Sequence, residues 1–180
     1  MRKTVHKWFW VWDFEKEEKW LNEMSAKGLQ LVAVGFCRYI FEETIKGEYA
    51  YRLELLENVP SNSESISYIR FLEETGVEYI GSLMRWAYFR KKVADGAFEI
   101  YSDIDSKIKH YKRIRTLFLA VTPINAVPAF SYLYNYIENR HSINLDFRII
   151  SFLVTLLLGL GIFKVSKKIS KLKKEKAIRE

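Results

Sequence analysis

The chain has one cysteine and three histidines among its 180 residues. Cys37 has no second cysteine with which to form a disulfide within the chain. His6, His110 and His141 lie in three separate regions, with none of the pairings three to five residues apart that a zinc site needs. The eight glycines form no run able to cradle a phosphate, which argues against nucleotide binding. The first 25 residues contain no uninterrupted apolar core but a tryptophan-rich stretch followed by DFEKEEK, so a cleaved leader is not expected and the N-terminal portion stays on the side where it is made. Cys37 reads as a small buried side chain on a strand. The carboxylate pairs Glu73–Glu74 and Asp103–Asp105 read as helix-end and solvent charges. No catalytic residue, metal site or cofactor is nominated, and the chain is expected not to be an enzyme.

Acidic residues are scarce where apolar ones are dense. Residues 98–180 carry 15 Lys and Arg against 7 Asp and Glu, leaving 14 against 15 in residues 1–97, so the net charge of +7 belongs to the C-terminal part. TLFLAVTPINAVPAFSYLYNYI, residues 116–137, is uncharged, and as a helix it reaches about 33 Å, enough to cross a bilayer core. Tyr132, Tyr134 and Tyr136 supply interfacial rings at its far end. A second uncharged run, Ile149–Phe163, reaches spanning length when Arg148 and Lys164 snorkel, giving a second span over 148–165. Between them lies a short loop over 138–147, and from Glu138 to Arg148 the charges balance, Glu138 and Asp146 against Arg140 and Arg148. Cations flank the pair and are scarce between them, which predicts a membrane hairpin with both termini cytoplasmic. An amphipathic juxtamembrane helix over 96–115 precedes it, with a start at Ser102–Asp105 and a stripe of Ile104, Ile108 and Tyr111. A basic cytoplasmic tail over 166–180 follows it. Lys109, Lys112, Arg113, Arg115, Lys164, Lys167, Lys168, Lys171, Lys173 and Lys174 are expected to meet anionic lipid headgroups. Ile169, Leu172 and Ile178 would let the tail lie along that surface.

About 100 residues remain, enough for one compact domain over 1–95. VHKWFWVW, Val5–Trp12, is β-branched and aromatic and reads as a strand. Asp13 is placed to cap a helix in which Glu15, Glu17 and Glu18 sit near the positive end and Trp20, Leu21 and Met24 recur at helical spacing. Gly28 ends it. Leu29–Phe41 reads as a second strand and Tyr49–Leu56 as a third, the latter with one buried face and one that is wet or functional. Ser61 and Glu64 have capping-box spacing and open a second helix that stops at Gly76, before a long fourth strand over Val77–Arg90. The resulting α+β fold is ferredoxin-like, βαββαβ, followed by the transmembrane hairpin. An offset of 48 residues aligns Trp20 with Tyr68, Leu21 with Ile69, Met24 with Leu72, Gly28 with Gly76 and Leu29 with Val77, an internal repeat of the helix-to-strand corner.

The same strand order occurs in RNA-recognition domains, but their third strand carries a basic-Gly-aromatic signature where this chain has EYAYRLEL, and the domain is net negative. Nucleic acid is therefore not an expected partner. The notable concentration is tryptophan. Trp8, Trp10 and Trp12 alternate and so share a face, while Val5, Phe9 and Val11 take the other. If both helices cover one sheet face, the tryptophans make the open face apolar, and such a patch implies a ligand, a partner chain or a membrane, the alternative being that the helix from residue 100 or a second copy of the domain covers it. Arg52, Glu54, Arg85 and Trp86 are candidate anchors beside them.

WLNEMSAKG, GEYAYRLELL, FLEETGVEYIGSLMRWAYFRKK and SDIDSKIKHYKRI together resemble a bacterial family designated domain of unknown function 2812, over roughly residues 5–115. That resemblance implies a small protein of the bacterial cell membrane whose gene commonly lies beside a transcriptional regulator of the PadR type, and it carries over no activity and no site residues. The combined expectation is a membrane-anchored cytoplasmic sensing or protein-interaction module. The rival is an accessory subunit of an envelope transporter or efflux system, in which Pro123, Asn125 and Pro128 mark a functional kink in the first span.

Overall fold

The computed structural model describes residues 2–101, 103–137 and 145–179. The chain divides into two compact units, Met1–Ser102 and Asp103–Glu180.

The first unit contains β1 (Arg2–His6), α1 (Phe14–Ala26), β2 (Leu29–Gly35), β3 (Arg38–Glu43), β4 (Tyr49–Leu55), α2 (Ser63–Glu74), β5 (Glu78–Leu83) and β6 (Trp86–Lys92). These are two βαββ units in tandem. Each folds its strands into a three-stranded antiparallel sheet, ordered β1-β3-β2 and β4-β6-β5. The 48-residue repeat thus extends well beyond one corner. Gly28 and Gly76 turn the two helix ends with φ of +81° and +82°, a region glycine enters without steric penalty. The β2–β3 pairing is irregular between Leu31 and Ala33, and the β5–β6 pairing between Tyr79 and Gly81, again 48 residues on.

The ferredoxin-like order gives way because two expected strands are hairpins. One strand over Val77–Arg90 would be about 46 Å long; instead the chain reverses at Met84–Arg85, with φ +55° at Met84. Leu29–Phe41 likewise reverses at Phe36–Cys37, which places Cys37 in a turn at φ +53° and half-buried rather than on a strand. Neither turn carries the Asn-Gly or Asp-Gly signal of a two-residue hairpin. The first strand is also shorter than expected. Lys7 N donates to Cys37 O (3.1 Å) at the turn that begins β3, so residues 8–12 have no partner strand and pass as extended chain into a 3-10 turn, Val11–Asp13.

Helix ends differ in detail. Asp13 occupies the N-cap of α1 without a capping bond, its carboxylate instead meeting Lys16 at 3.0 Å. Asn62 rather than Ser61 caps α2, accepting from Glu64 N at 2.9 Å.

The helices cover opposite faces of the second sheet. Leu21 and Met24 of α1 pack with Leu31, Tyr39, Phe41, Tyr49, Tyr51, Leu53 and Tyr88. Ile69 and Leu72 of α2 pack with Leu56, Val77, Ala87, Phe89 and Phe98. Alternation along β4 and β6 sends neighbouring residues to the two cores, so Glu54, expected on a wet face, is buried. Phe98 is in the second core and Ile100 packs against it, so the unit runs past residue 95 to Ser102.

One edge of this sheet is sealed by side chains. Glu18, Asn22 and Ser25 lie on one stripe of α1 and bond the backbone of alternate β4 residues. Ser25 Oγ donates to Tyr49 O (2.6 Å). Asn22 Nδ2 donates to Tyr51 O (3.1 Å) while its Oδ1 accepts from Tyr51 N (2.9 Å), as a neighbouring strand would do. Leu53 N donates to Glu18 Oε2 (3.1 Å).

In the second unit α3 (Ile104–Ile137) and α4 (Leu145–Arg179) pack along each other. Both are long and apolar enough to cross a membrane, over Ile104–Ser131 and Ile150–Ile178. The segments expected as juxtamembrane helix and first span form one helix, at whose start Asp103 Oδ1 accepts from Ser106 N (2.6 Å); Ser102, the expected start, lies outside the described residues. The second span and basic tail are also one helix. Ile108, Tyr111, Ile114 and Phe118 of α3 and Val165, Ile169 and Leu172 of α4 are buried, and Lys176 reaches Asp105 at 2.7 Å. The tail stripe expected to lie on lipid is therefore the seam of a helical stalk, and only Ile178 of the three is exposed. Residues 138–144 of the expected loop, and the side chains of Tyr132, Tyr136, Arg140 and Arg148, lie outside the described residues.

Replacing Asn22 by Ala strips the Tyr51 N–H of its acceptor, while Tyr51 O keeps its bond from Arg52 Nη1 at 3.0 Å; one unsatisfied buried group costs about 1–3 kcal/mol. Asn22→Ala should lose about 1–3 kcal/mol in denaturant unfolding, and Glu23→Ala, at the adjacent exposed position, under about 0.5 kcal/mol.

Candidate functional site

Residues 8–12 continue the alternation of β1 without its pairing. Phe9 turns inward, 5.5 Å from Trp20 and 6.3 Å from Tyr39 between ring centroids, and Lys7 sits over the Phe9 and Trp20 rings. Trp8 and Trp10 turn outward. Trp10 stacks on Trp12 at 5.0 Å with an interplanar angle of 4°. Trp8 meets Trp10 edge-on at 5.4 Å and Phe36 at 5.8 Å. The result is a ladder of four rings, Phe36–Trp8–Trp10–Trp12, in which Phe36 is 74 %, Trp8 54 % and Trp10 40 % exposed. Mutual stacking fixes the rings before any partner arrives, which lowers the ordering cost of binding.

The ladder does not lie on an apolar open sheet face. The outward face of the first sheet carries Arg2, Thr4 and His6 beside Glu42, Ile40 and Arg38, and the rings stand beyond the strand end. Phe36 was not singled out in the sequence because the strand expected over 29–41 hid its turn. An aromatic directly after Gly35 between two β-runs was the available signal.

The other four candidates have partners of their own. Arg52 lies 2.8 Å from Glu99 and 3.4 Å from Glu18, with its guanidinium over Phe98. Glu54 accepts from Tyr68 OH at 2.7 Å. Arg85 donates to Leu56 O at 2.6 Å and 2.9 Å. Trp86 packs on Phe14 at 5.2 Å. These contacts hold elements together, and the aromatic candidates that gather are the three tryptophans with Phe36.

A second feature was missed. Glu17 falls on the apolar stripe Phe14, Leu21, Met24 and is buried. Its Oε1 accepts from Tyr39 OH (2.7 Å) and Tyr88 OH (2.6 Å), one tyrosine from each βαββ unit. Burial raises the Glu17 pKa, opposed by the two hydroxyl bonds. It also pushes both tyrosine hydroxyls up, with the carboxylate adding to the effect. Burial raises Glu18 to about 7, against the pull of Arg52 and the Leu53 N–H. Among the described residues no three His, Cys, Asp or Glu side chains are grouped so as to hold a metal ion.

A family model described as "Protein of unknown function (DUF2812)" matches residues 13–122, from the 3-10 turn through the first half of α3. No curated protein and no solved structure matches the chain. The family match begins one residue after the tryptophan ladder ends.

The raised Glu18 pKa sets a pH dependence. Between its unfolded value near 4.5 and its folded value near 7 the native chain holds a proton that the unfolded chain has released. The stability linked to that proton is present at low pH and lost as pH rises through about 7. All five tryptophans lie in the first unit, so their fluorescence follows its melting. The wild-type advantage over Glu18→Gln should shrink between about pH 5 and about pH 8. A pH-independent difference would place the titration elsewhere.

Proposed function

From the premise that the chain belongs to the DUF2812 family, we propose that it is a membrane-anchored interaction or sensing module. Its first unit works on the cytoplasmic side, and its two long helices form the anchor. The exposed, pre-stacked ladder Phe36–Trp8–Trp10–Trp12 carries this reading, because large aromatics contribute disproportionately when a partner buries them. Its natural setting is a bacterial cell membrane and its expected connection a PadR-type regulator.

The anchor reading rests on the exposed apolar residues. Leu119, Ile124, Val127, Phe130 and Tyr134 on α3, and Ile150, Leu153, Leu156, Leu160 and Phe163 on α4, face outward, and cations dominate beyond Phe118 and Phe163. Lys164, Lys167 and Lys168 fall at headgroup depth, as do Arg113 and Arg115. Lys171, Lys173 and Lys174 stand about 12–16 Å past Phe163 along α4, with Lys109 and Lys112 on the same stalk. The transporter alternative has less support. Asn125, between the two prolines of α3, donates to Val121 O of its own helix at 3.3 Å, and Thr122 donates to Phe118 O at 2.7 Å. Polar side chains that meet their own helix's carbonyls need no transport path to explain them.

Topology is checked by cysteine labelling with a membrane-impermeant reagent on intact cells, in a Cys37→Gly background. A cysteine at Asn139 should label and one at Glu180 should not; labelling at Glu180 alone contradicts the hairpin orientation.

Trp10→Ala should leave melting within about 1.5 kcal/mol of wild type, since the ring is partly exposed and loses mainly stacking. In crosslinking from native membranes the same variant should lose the discrete adduct formed by wild type. Phe71→Ala, at an exposed ring on α2 outside the ladder, should retain it. Destabilisation of about 3–5 kcal/mol, typical of an emptied aromatic core site, would make the ladder structural.

A further inference from the structure

The duplicated fold seals one sheet edge and leaves its counterpart open. β4 is covered by Glu18, Asn22 and Ser25 of α1. The positions 48 residues on in α2 are Ile66, Arg70 and Glu73, all exposed. The counterpart of β4 is β1, which among the described residues pairs with β3 alone and has four of its five residues exposed.

The backbone phase of β1 is fixed by the bond from Lys7 N to Cys37 O. Hydrogen-bonded pairs alternate along an antiparallel ladder, so Lys3, Val5 and Lys7 point their N–H and C=O groups to β3. Arg2, Thr4 and His6 point theirs outward, as a template for another strand. The charge around this template is of one sign. Residues 2–12 include Arg2, Lys3, His6 and Lys7 and no acid, Arg38 stands opposite His6, and the nearby Glu42 is taken by Arg2 at 2.7 Å. A second copy of β1 laid alongside would set these cations against one another, which is destabilising for directly opposed like charges.

We infer that the outward edge of β1 receives an extended acidic segment of a partner protein as an added strand. Backbone bonds to Thr4 and His6 supply the pairing, alternate carboxylates on the outward face meet Arg2 and Arg38 and accept from the His6 ring, and the ladder beginning at Trp8 adjoins the end of the strand. This rests on the interaction-module reading and names the chemistry of its partner.

The probe is a fluorescein-labelled ten-residue peptide alternating Glu with Val, titrated by anisotropy into the full chain in neutral-lipid nanodiscs, beside a peptide with Lys in place of Glu. The Glu peptide should bind, weaken with added salt, and outcompete the Lys peptide. Thr4→Pro removes one outward N–H and no bond to β3. It should weaken binding at least about tenfold with the tryptophan-fluorescence melt unchanged. If that variant does not fold, Arg38→Glu, an exposed charge reversal on the outward face, provides the same comparison without touching the backbone of β1. No binding by the Glu peptide, or equal binding by wild type and both variants, overturns the inference; equal binding would assign the peptide to the stalk lysines. Retained crosslinking at the ladder alongside a failed peptide leaves the module reading standing without the added strand, and loss of both removes the two together.

Discussion

The hydrogen bonds from one stripe of α1 to the edge of β4 hold the two halves of the first unit together. A strand edge exposes one N–H and one C=O every second residue, and burying them unpaired costs more than most single contacts return. Glu18, Asn22 and Ser25, at helical spacing, match the two-residue period of β4 at Leu53, Tyr51 and Tyr49. Because α1 belongs to the first βαββ unit and β4 to the second, the same bonds that satisfy the edge also join the repeats. The next stripe of α1 strengthens that join: Glu17 ties Tyr39 to Tyr88, one tyrosine from each repeat. An acid in this position ties folding to protonation, since burial raises the pKa of Glu17 and Glu18 alike.

The clamp makes the duplicated halves unequal. The sealed half has helices on both faces of its sheet and a second core completed by Phe98. The other half keeps an open edge, a charged outer face and a stack of rings beyond its last ladder bond. In the proposed module, the part of the unit free for recognition is therefore the part that the repeat's own helix does not cover. A stalk with a buried apolar seam and a cationic exterior continues into the helices proposed to span the membrane.

Much of this was legible in the sequence. The two helices, their glycine stops, the 48-residue repeat and the two apolar helices all follow from periodicity and from residues with one dominant conformational use. The hairpins were not legible, because Cys37 and Met84 adopt positive φ at their turns where glycine or asparagine is the usual signal, and strand-forming residues stand on both sides of each turn. Reading each as one strand also made the fold ferredoxin-like and put both helices on one sheet face. Alternation placed Trp8 and Trp10 on one side, as found, but no local signal told where β1 ends, since that depends on where β3 begins. Glu17 and Glu18 read as helix-dipole partners; their use as buried acceptors depends on Tyr39, Tyr88 and Leu53, between 22 and 71 residues away. The tail's lysines suggested lipid, and the apolar residues between them serve the seam with α3.

The account turns on one sealed and one open edge, and amide hydrogen exchange measured residue by residue on the full chain tests it most directly. The N–H groups of Tyr51 and Leu53, which meet Asn22 and Glu18 of α1, should exchange as slowly as those of Arg52 and Glu54, which face β6, whereas those of Thr4 and His6 should exchange far faster than that of Val5. Rapid exchange at Tyr51 and Leu53, or protection at Thr4 and His6 equal to that of Val5, would contradict it.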